Sequence, residues 1–306
     1  MEILTQQLIN GLVLGSIYAL VALGYTMVYG ILELINFAHG EVTMFGAMIG
    51  IAVITALGGS APPVAAIGTA LFVAILGCMA LGFTIERVAY RRLRHAPRLS
   101  VLITAIGISI VLQNVAMLIW GKQYIRFPEV FAIERYQVAG AIITNLQIAI
   151  VLLSLALMGA LWLLIHRTPL GRAMRATAQS RDIAGLMGIN VNVTISATFV
   201  IGAALAAVAG VMVSAYYGLA HYYMGFMLGL KAFTAAVLGG IGNVAGAALG
   251  GLLLGIIESL GAGYIGPLTG GFLGSHYQDV FAFLVLILVL TLRPSGLLGE
   301  RVGERP

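Results

Sequence analysis

Charged side chains are what this sequence has least of: lysine, arginine, aspartate and glutamate make up 9% of its 306 residues, against 60% hydrophobic. A soluble domain carries about 25% charged residues, so the shortage excludes a soluble protein and predicts a chain that crosses a membrane many times. Apolar runs recur along the whole length and leave no stretch of soluble-domain size, which excludes an appended soluble catalytic domain. Cysteine is nearly absent as well. Cys78 has no second thiol to pair with, which excludes an internal disulfide and cysteine-based metal sites. His39 has no neighbouring His or Cys at ligand spacing, and no metal site is expected there. The Gly-x-x-x-x-Gly-Lys-Ser/Thr phosphate loop is missing too, the phrase GKQY at 121 being unrelated. ATP-driven work therefore requires separate ATPase subunits. MEILTQQLINGL lacks the basic start of a cleavable signal peptide, so the first apolar segment is expected to persist as a span.

The net charge of +5 falls in short clusters between apolar runs, the pattern of cytoplasmic membrane loops and not of a nucleic-acid-binding face. The fold class expected is all-α: a single polytopic helical bundle over residues 1–306, with about eight transmembrane helices. Spans are predicted at 8–31, 40–58, 63–88, 100–120, 145–166, 193–216 and 278–293, and the Gly-rich stretch 225–263 forms either two full helices or a re-entrant pair turning at GGIGNVAG. Arg87, Arg91, Arg92, Arg94 and Arg98 follow the third span. Arg167, Arg172, Arg175 and Arg181 follow the fifth, and Arg293, Arg301 and Arg305 lie in the tail. The positive-inside rule makes all three cytoplasmic, with the N-terminus outside.

Small residues recur at four-residue spacing: Gly242, Gly246 and Gly250; Ala247, Gly251, Gly255, Ser259 and Gly263; Gly202, Ala206, Gly210 and Ser214; and Gly11, Gly15 and Ala19. Such faces let helix backbones touch in lipid, either within one subunit or at a seam between subunits.

Polar groups at membrane depth are costly unless paired or facing a cavity. The densest group is Glu33, Asn36, His39 and Glu41, in ELINFAHGEVTMFGA between the first two spans. If the second span starts near Ala38, its free N–H groups and positive dipole end suit an anion or carboxylate. The bland alternative is a hydrogen-bonded helix break, with Asn36 on backbone and His39 paired to Glu41 or Glu33. Lys231 is expected to snorkel toward headgroups, Glu258 could pair with it, and Gln113 and Asn114 read as interhelical hydrogen bonders. Tyr216, Tyr217, Tyr222 and Tyr223 fit an aromatic belt. A proton-coupled carrier would use Glu33, Glu41 or Glu258 as its titrating acid; a passive channel is a third possibility.

The longest polar interruption placed inside is HRTPLGRAMRATAQSRDIAGLMGINVNV, 166–193. Thr168 and Pro169 make a cap and first-turn pair, Ser180 is a second cap with Asp182 in its first turn, and Gly188 can end that helix left-handed. The apolar residues Ile183, Ala184, Leu186 and Met187 need a surface: the protein's own membrane face, or a partner. Asp182, Ala184 and Gly188 have the spacing of the core of the EAA loop of ATP-binding-cassette permeases, though Ile183 replaces that motif's alanine. That resemblance implies an ATPase-coupling role for Arg172, Arg175, Asp182, Ala184, Leu186 and Gly188.

NGLVLGSIYALVALGYTMVYGILELINFAHGEVTMFGAM at 10–48 resembles the opening of the inner-membrane permeases of bacterial branched-chain amino acid ABC transporters, above all the LivH type. ATFVIGAALAAVAGVM at 197–212 and GLKAFTAAVLGGIGNVAGAALGGLLLGIIES at 229–259 resemble that family's later blocks in order. The resemblance implies an importer of leucine, isoleucine and valine in the bacterial inner membrane. Its partners would be a paralogous LivM-type permease, two cytoplasmic ATPases of LivG and LivF type that hold ATP and Mg, and a periplasmic solute-binding protein. No cofactor would sit on this chain. Related permeases carry urea, short amides and other amino acids, so those substrates stay open.

Overall fold

A 31-residue helix, α1 (Glu2–Leu32), forms the axis of the molecule. It is apolar on every side, and a helix hydrophobic all round must be enclosed by others. In the computed structural model 94% of its most apolar window is buried by the rest of the chain, against 22% for α3 (Pro63–Ile85 and its continuation), α4 (Arg98–Trp120) and α5 (Asn145–Arg167). Those three therefore form the periphery that lipid or partner subunits cover. The structure describes residues 2–94, 96–130, 132–138, 140–270, 272, 277–293 and 295–299; Arg301 and Arg305 lie outside the described residues.

Around α1 are arranged α2 (His39–Leu57), α8 (Val191–Tyr217), α9 (Met224–Gly239) and α10 (Val244–Leu268), with α11 (Gln278–Leu292) outside α10. Two short helices, α6 (Pro169–Gln179) and α7 (Arg181–Leu186), connect α5 to α8. Among the described residues seven helices are long and apolar enough to cross a membrane. The Gly-rich stretch resolves into an antiparallel pair of unequal length. α9 has 16 residues, about 24 Å at the usual helical rise, while α10 has 25. α3 runs into a π-helical turn, Glu86–Tyr90. At the end of the bundle distant from the arginine-rich turns, β1 (Ile125–Arg126) pairs with β4 (Leu219–Ala220), and β2 (Arg135–Val138) with β3 (Ala141–Thr144), both antiparallel.

Capping follows the sequence signals. Thr144 and Gln147 form a capping box on α5, Thr168 caps α6 with Pro169 in the first turn, and Ser180 Oγ accepts from Ile183 N at 3.3 Å to start α7. Gly188 has φ +83°.

Backbone-to-backbone packing on both sides of α10 fixes the core. A Cβ on Gly255 would stand 2.2 Å from Gly15 N, and one on Gly251 2.4 Å from Ala19 Cα, both on α1. Gly246 and Gly250 meet Gly239 and Ala235 of α9 as closely. These stripes thus join helices of one chain, and in lipid such van der Waals approach replaces the hydrophobic drive. Gly242 departs from the expectation. It lies in the turn between α9 and α10 with φ +93° and open space around it, so its task is conformational and not packing. Gly255→Val should abolish the monodisperse peak of detergent-extracted protein on size exclusion, whereas Gly107→Ala, which meets nothing within 4 Å, should leave it unchanged.

Candidate functional site: the break after the first helix

The polar segment is a true break in the helical path. α1 stops at Leu32 and α2 starts at His39. Glu33 adopts φ +53°, the one positive value at a non-glycine among the described residues. Helix ends leave four carbonyls without internal partners, and lipid offers none. Here a side chain from a distant segment supplies donors. Arg181 donates from Nε to Ile31 O at 3.2 Å and from its terminal NH2 to Leu32 O at 2.7 Å. A guanidinium suits this position in both geometry and charge, because its planar fork faces the negative end of the helix dipole. Arg181 is also the first residue of α7, so the polar connection is clamped directly to the core helix.

The far side of the break is tied to α3 and α8. Tyr90 Oη donates to Asn36 Oδ1 at 2.9 Å, and His39 N donates to Asn36 O at 3.0 Å. The Tyr90 ring lies 5.2 Å from that of Phe199 on α8. Phe37 sits 5.9 Å from Phe233 of α9, between ring centroids.

His39 pairs with neither Glu41 nor Glu33, contrary to the hydrogen-bonded pairing considered from sequence. Its ring is edge-on to Tyr25 at 4.9 Å and fills the space over Gly24, where a Cβ would come within 2.2 Å of Nε2. Nε2 is buried without a partner among the described residues. Glu41 turns away, toward α4: Oε1 accepts from Ser109 Oγ at 2.9 Å and Gln113 Nε2 at 2.7 Å. Gln113 is thus an interhelical bonder, while Asn114 donates to Ile110 O within its own helix. The α2 N-terminus, which the sequence suits to an anion, has α9 packed against it. A Cβ on Gly40 would lie 2.3 Å from Gly225 O, so α9 closes over that end. Asn36, His39 and Glu41 are buried, and Glu33 alone of the four is exposed.

Beside the break, a cleft of about 580 Å³ is lined by Arg94, Arg181, Asp182, Leu186, Asn192 and Ile195 among others. Arg94 pairs with the fully buried Glu86 and donates to Asn192 Oδ1 at 2.6 Å; Ser196 Oγ donates to the other Glu86 oxygen at 2.6 Å. Sequence reasoning missed this cluster. A carboxylate near the end of an apolar run, eight residues before an arginine, was the available signal.

In α6 and α7, Arg172 and Asp182 are exposed and Ala184 is buried, while Arg175 turns back to the carbonyl of Ile165 at the end of α5. Ile183, Leu186 and Met187 are 61%, 87% and 78% exposed. Of the four apolar residues of this segment, Ala184 alone presses against the chain itself.

At the opposite end, Lys231 does not snorkel. Its Nζ lies 2.7 Å from Glu258 Oε1 and 2.8 Å from Asp279 Oδ1, joining α9, α10 and α11, and Tyr18 Oη donates to the same Glu258 oxygen at 3.2 Å. The fully buried Glu258 and the partly exposed Asp279 outweigh the reach to headgroups. Among the described residues no three His, Cys, Asp or Glu side chains converge as a metal site.

Removing the Tyr90 hydroxyl takes from the buried Asn36 Oδ1 the donor it has among the described residues. Tyr90→Phe should therefore destabilise by about 1–3 kcal/mol, read as a lower melting temperature of the detergent-purified protein; an unchanged melting temperature would show that the bond contributes nothing.

Comparison with known proteins covers nearly the whole chain. The family described as branched-chain amino acid transport system / permease component matches residues 7–290. The high-affinity branched-chain amino acid transport system permease protein BraD of Pseudomonas aeruginosa is 48% identical, over 98% of this chain and 97% of its own length. The corresponding LivH protein of Escherichia coli is 46% identical over the same shares. A probable LivH of Methanocaldococcus jannaschii is 27% identical over 95% of this chain and 91% of its own. No solved structure matches. The chain belongs to the branched-chain amino acid transport permease family.

Proposed function

We propose that this chain is the LivH-type permease subunit of an ATP-driven importer of leucine, isoleucine and valine. A LivM-type permease, LivG- and LivF-type ATPases holding ATP and Mg, and a periplasmic binding protein complete the assembly. The arginine-rich turns face the cytoplasm, and the N-terminus faces the periplasm. The observation that carries the ATP-driven reading is α7. A six-residue helix cannot persist alone, and this one exposes Ile183, Leu186 and Met187 together. Those residues suit the cleft of an ATPase subunit, with Asp182 and Arg172 at its polar rim.

The mechanism follows from the attachments of α7. When ATP closes the ATPase dimer, α7 moves with it. Arg181 delivers that movement to the carbonyl end of α1, and the extensive backbone packing of α1 on α10 and α8 spreads it through the core. The break at 33–38 supplies the pliant joint, with Asn36 and His39 holding its backbone and ring positions. Glu33, Asn36, His39 and Glu41 thus act at the cytoplasmic gate as a joint more than as solute ligands. The exposed apolar face of α7 favours the ATP-driven reading over a proton-coupled carrier; among the described residues Glu41 and Glu258 are each engaged at one oxygen only.

In proteoliposomes, leucine uptake should require added ATPases, binding protein and ATP; uptake driven by a proton gradient without them would overturn the proposal. Arg181→Ala removes charge-assisted bonds of about 1.5–3 kcal/mol. It should lower leucine moved per ATP hydrolysed by about tenfold or more while the ATPases still co-purify, and Leu186→Asp should release them. His39→Ala should impair uptake with assembly intact; normal uptake would reduce the segment to packing.

A further inference from the structure

A second cavity, of about 300 Å³, opens at the end of the bundle away from the arginine-rich turns. That is the lower end of the range for small-molecule sites, roughly 300–1,000 Å³. Its walls divide by chemistry. Met224, Met227 and Leu228 present one apolar face of α9, at spacings of three and four residues. Tyr217 and Tyr223 supply aromatic surface, and Lys231 supplies a cation. The ammonium of Lys231 has three N–H donors. One is given to Glu258 Oε1, and Asp279 Oδ1 lies 2.8 Å away, which leaves at least one N–H without a carboxylate among the described residues.

We propose that this cavity is a transient site for a zwitterionic apolar amino acid on its way into the permease. The solute carboxylate accepts from the remaining donor of Lys231, its ammonium lies over the tyrosine rings, and its side chain rests on Met224, Met227 and Leu228. This rests on the importer reading above and adds a solute site to it. Two features make the site fit a transporter. With Glu258 and Asp279 against one ammonium the ion group is net negative, which weakens the pull of Lys231 on the solute carboxylate and keeps the cargo from being trapped. The flexible methionine thioethers adapt to leucine, isoleucine and valine alike. The buried ion group also explains why a lysine is tolerated at this depth: Glu258, fully buried, and Tyr18 hold it at the edge of the cavity.

Saturation-transfer NMR on the complete importer in nanodiscs, without binding protein and with millimolar L-leucine as the probe, tests the site. The leucine methyls should receive saturation, valine should compete, and leucinamide, which lacks the carboxylate, should bind about tenfold more weakly. Lys231→Met should weaken leucine to the same degree. Met227→Trp, which fills the cavity without touching the ion pairs, should abolish the signal while the size-exclusion profile is kept. Equal signals from wild type and Met227→Trp, equal signals from leucine and leucinamide, or no signal at all would overturn the site. ATP- and binding-protein-dependent leucine uptake by the same wild-type preparation separates the two failures. Normal uptake with a negative NMR result removes this site alone, and absent uptake removes the importer reading and the site with it.

Discussion

The carbonyls at the end of α1 set the terms for the rest of the molecule. In water they would be solvated for nothing; inside a membrane protein each must find a donor in the chain or cost several kcal/mol. The donors come from Arg181, some 150 residues along the sequence. That single requirement brings the connection between α5 and α8 back to the core helix. The loop is therefore not a passive link. Its first short helix starts against the end of α5 and its second begins on α1, so a force applied to the exposed face of α7 reaches the buried axis directly through Arg181.

The buried acids draw donors from distant segments too, at both oxygens for Glu86 and at one oxygen each for Glu41 and Glu258. Glu41 is met by a serine and a glutamine from α4, Glu86 by an arginine and a serine, and Glu258 by a lysine and a tyrosine. Each set draws on more than one helix. In a bundle whose helices gain little from apolar association in lipid, these polar sets specify which helices meet, while the glycine faces of α1, α9 and α10 set how near they come. Ion pairs buried in this way are poor sources of net stability. Their value is in fixing register, as the meeting of α9, α10 and α11 at Lys231 illustrates.

The helices were legible because length and hydropathy are local properties, and the caps of α6 and α7 because Thr, Ser and Pro act within a few residues. The glycine stripes showed that helices would touch, and Gly251 and Gly255 do so; the sequence could not say that Gly242 would be a turn residue, since spacing alone does not reveal φ. Within the candidate site, Asn36 and His39 stood out as polar residues between apolar spans. Their partners did not. Tyr90 and Arg181 are distant in the chain, and which tyrosine meets Asn36 depends on how α3, α8 and α1 cross. The expected pairing of His39 with a neighbouring glutamate failed because α2 begins at His39 itself, which turns the ring inward to Gly24 and Tyr25 and sends Glu41 toward α4.

The central claim is that α7 and the end of α1 move as one body through the transport cycle. Spin labels at Tyr29→Cys, in the last turn of α1, and Gly185→Cys, measured by pulsed electron double resonance in the assembled transporter, test it most directly. One distance distribution, the same in the nucleotide-free and vanadate-trapped states, is the predicted result. A shift between the two states on the scale of a helical turn, about 5 Å, would contradict it.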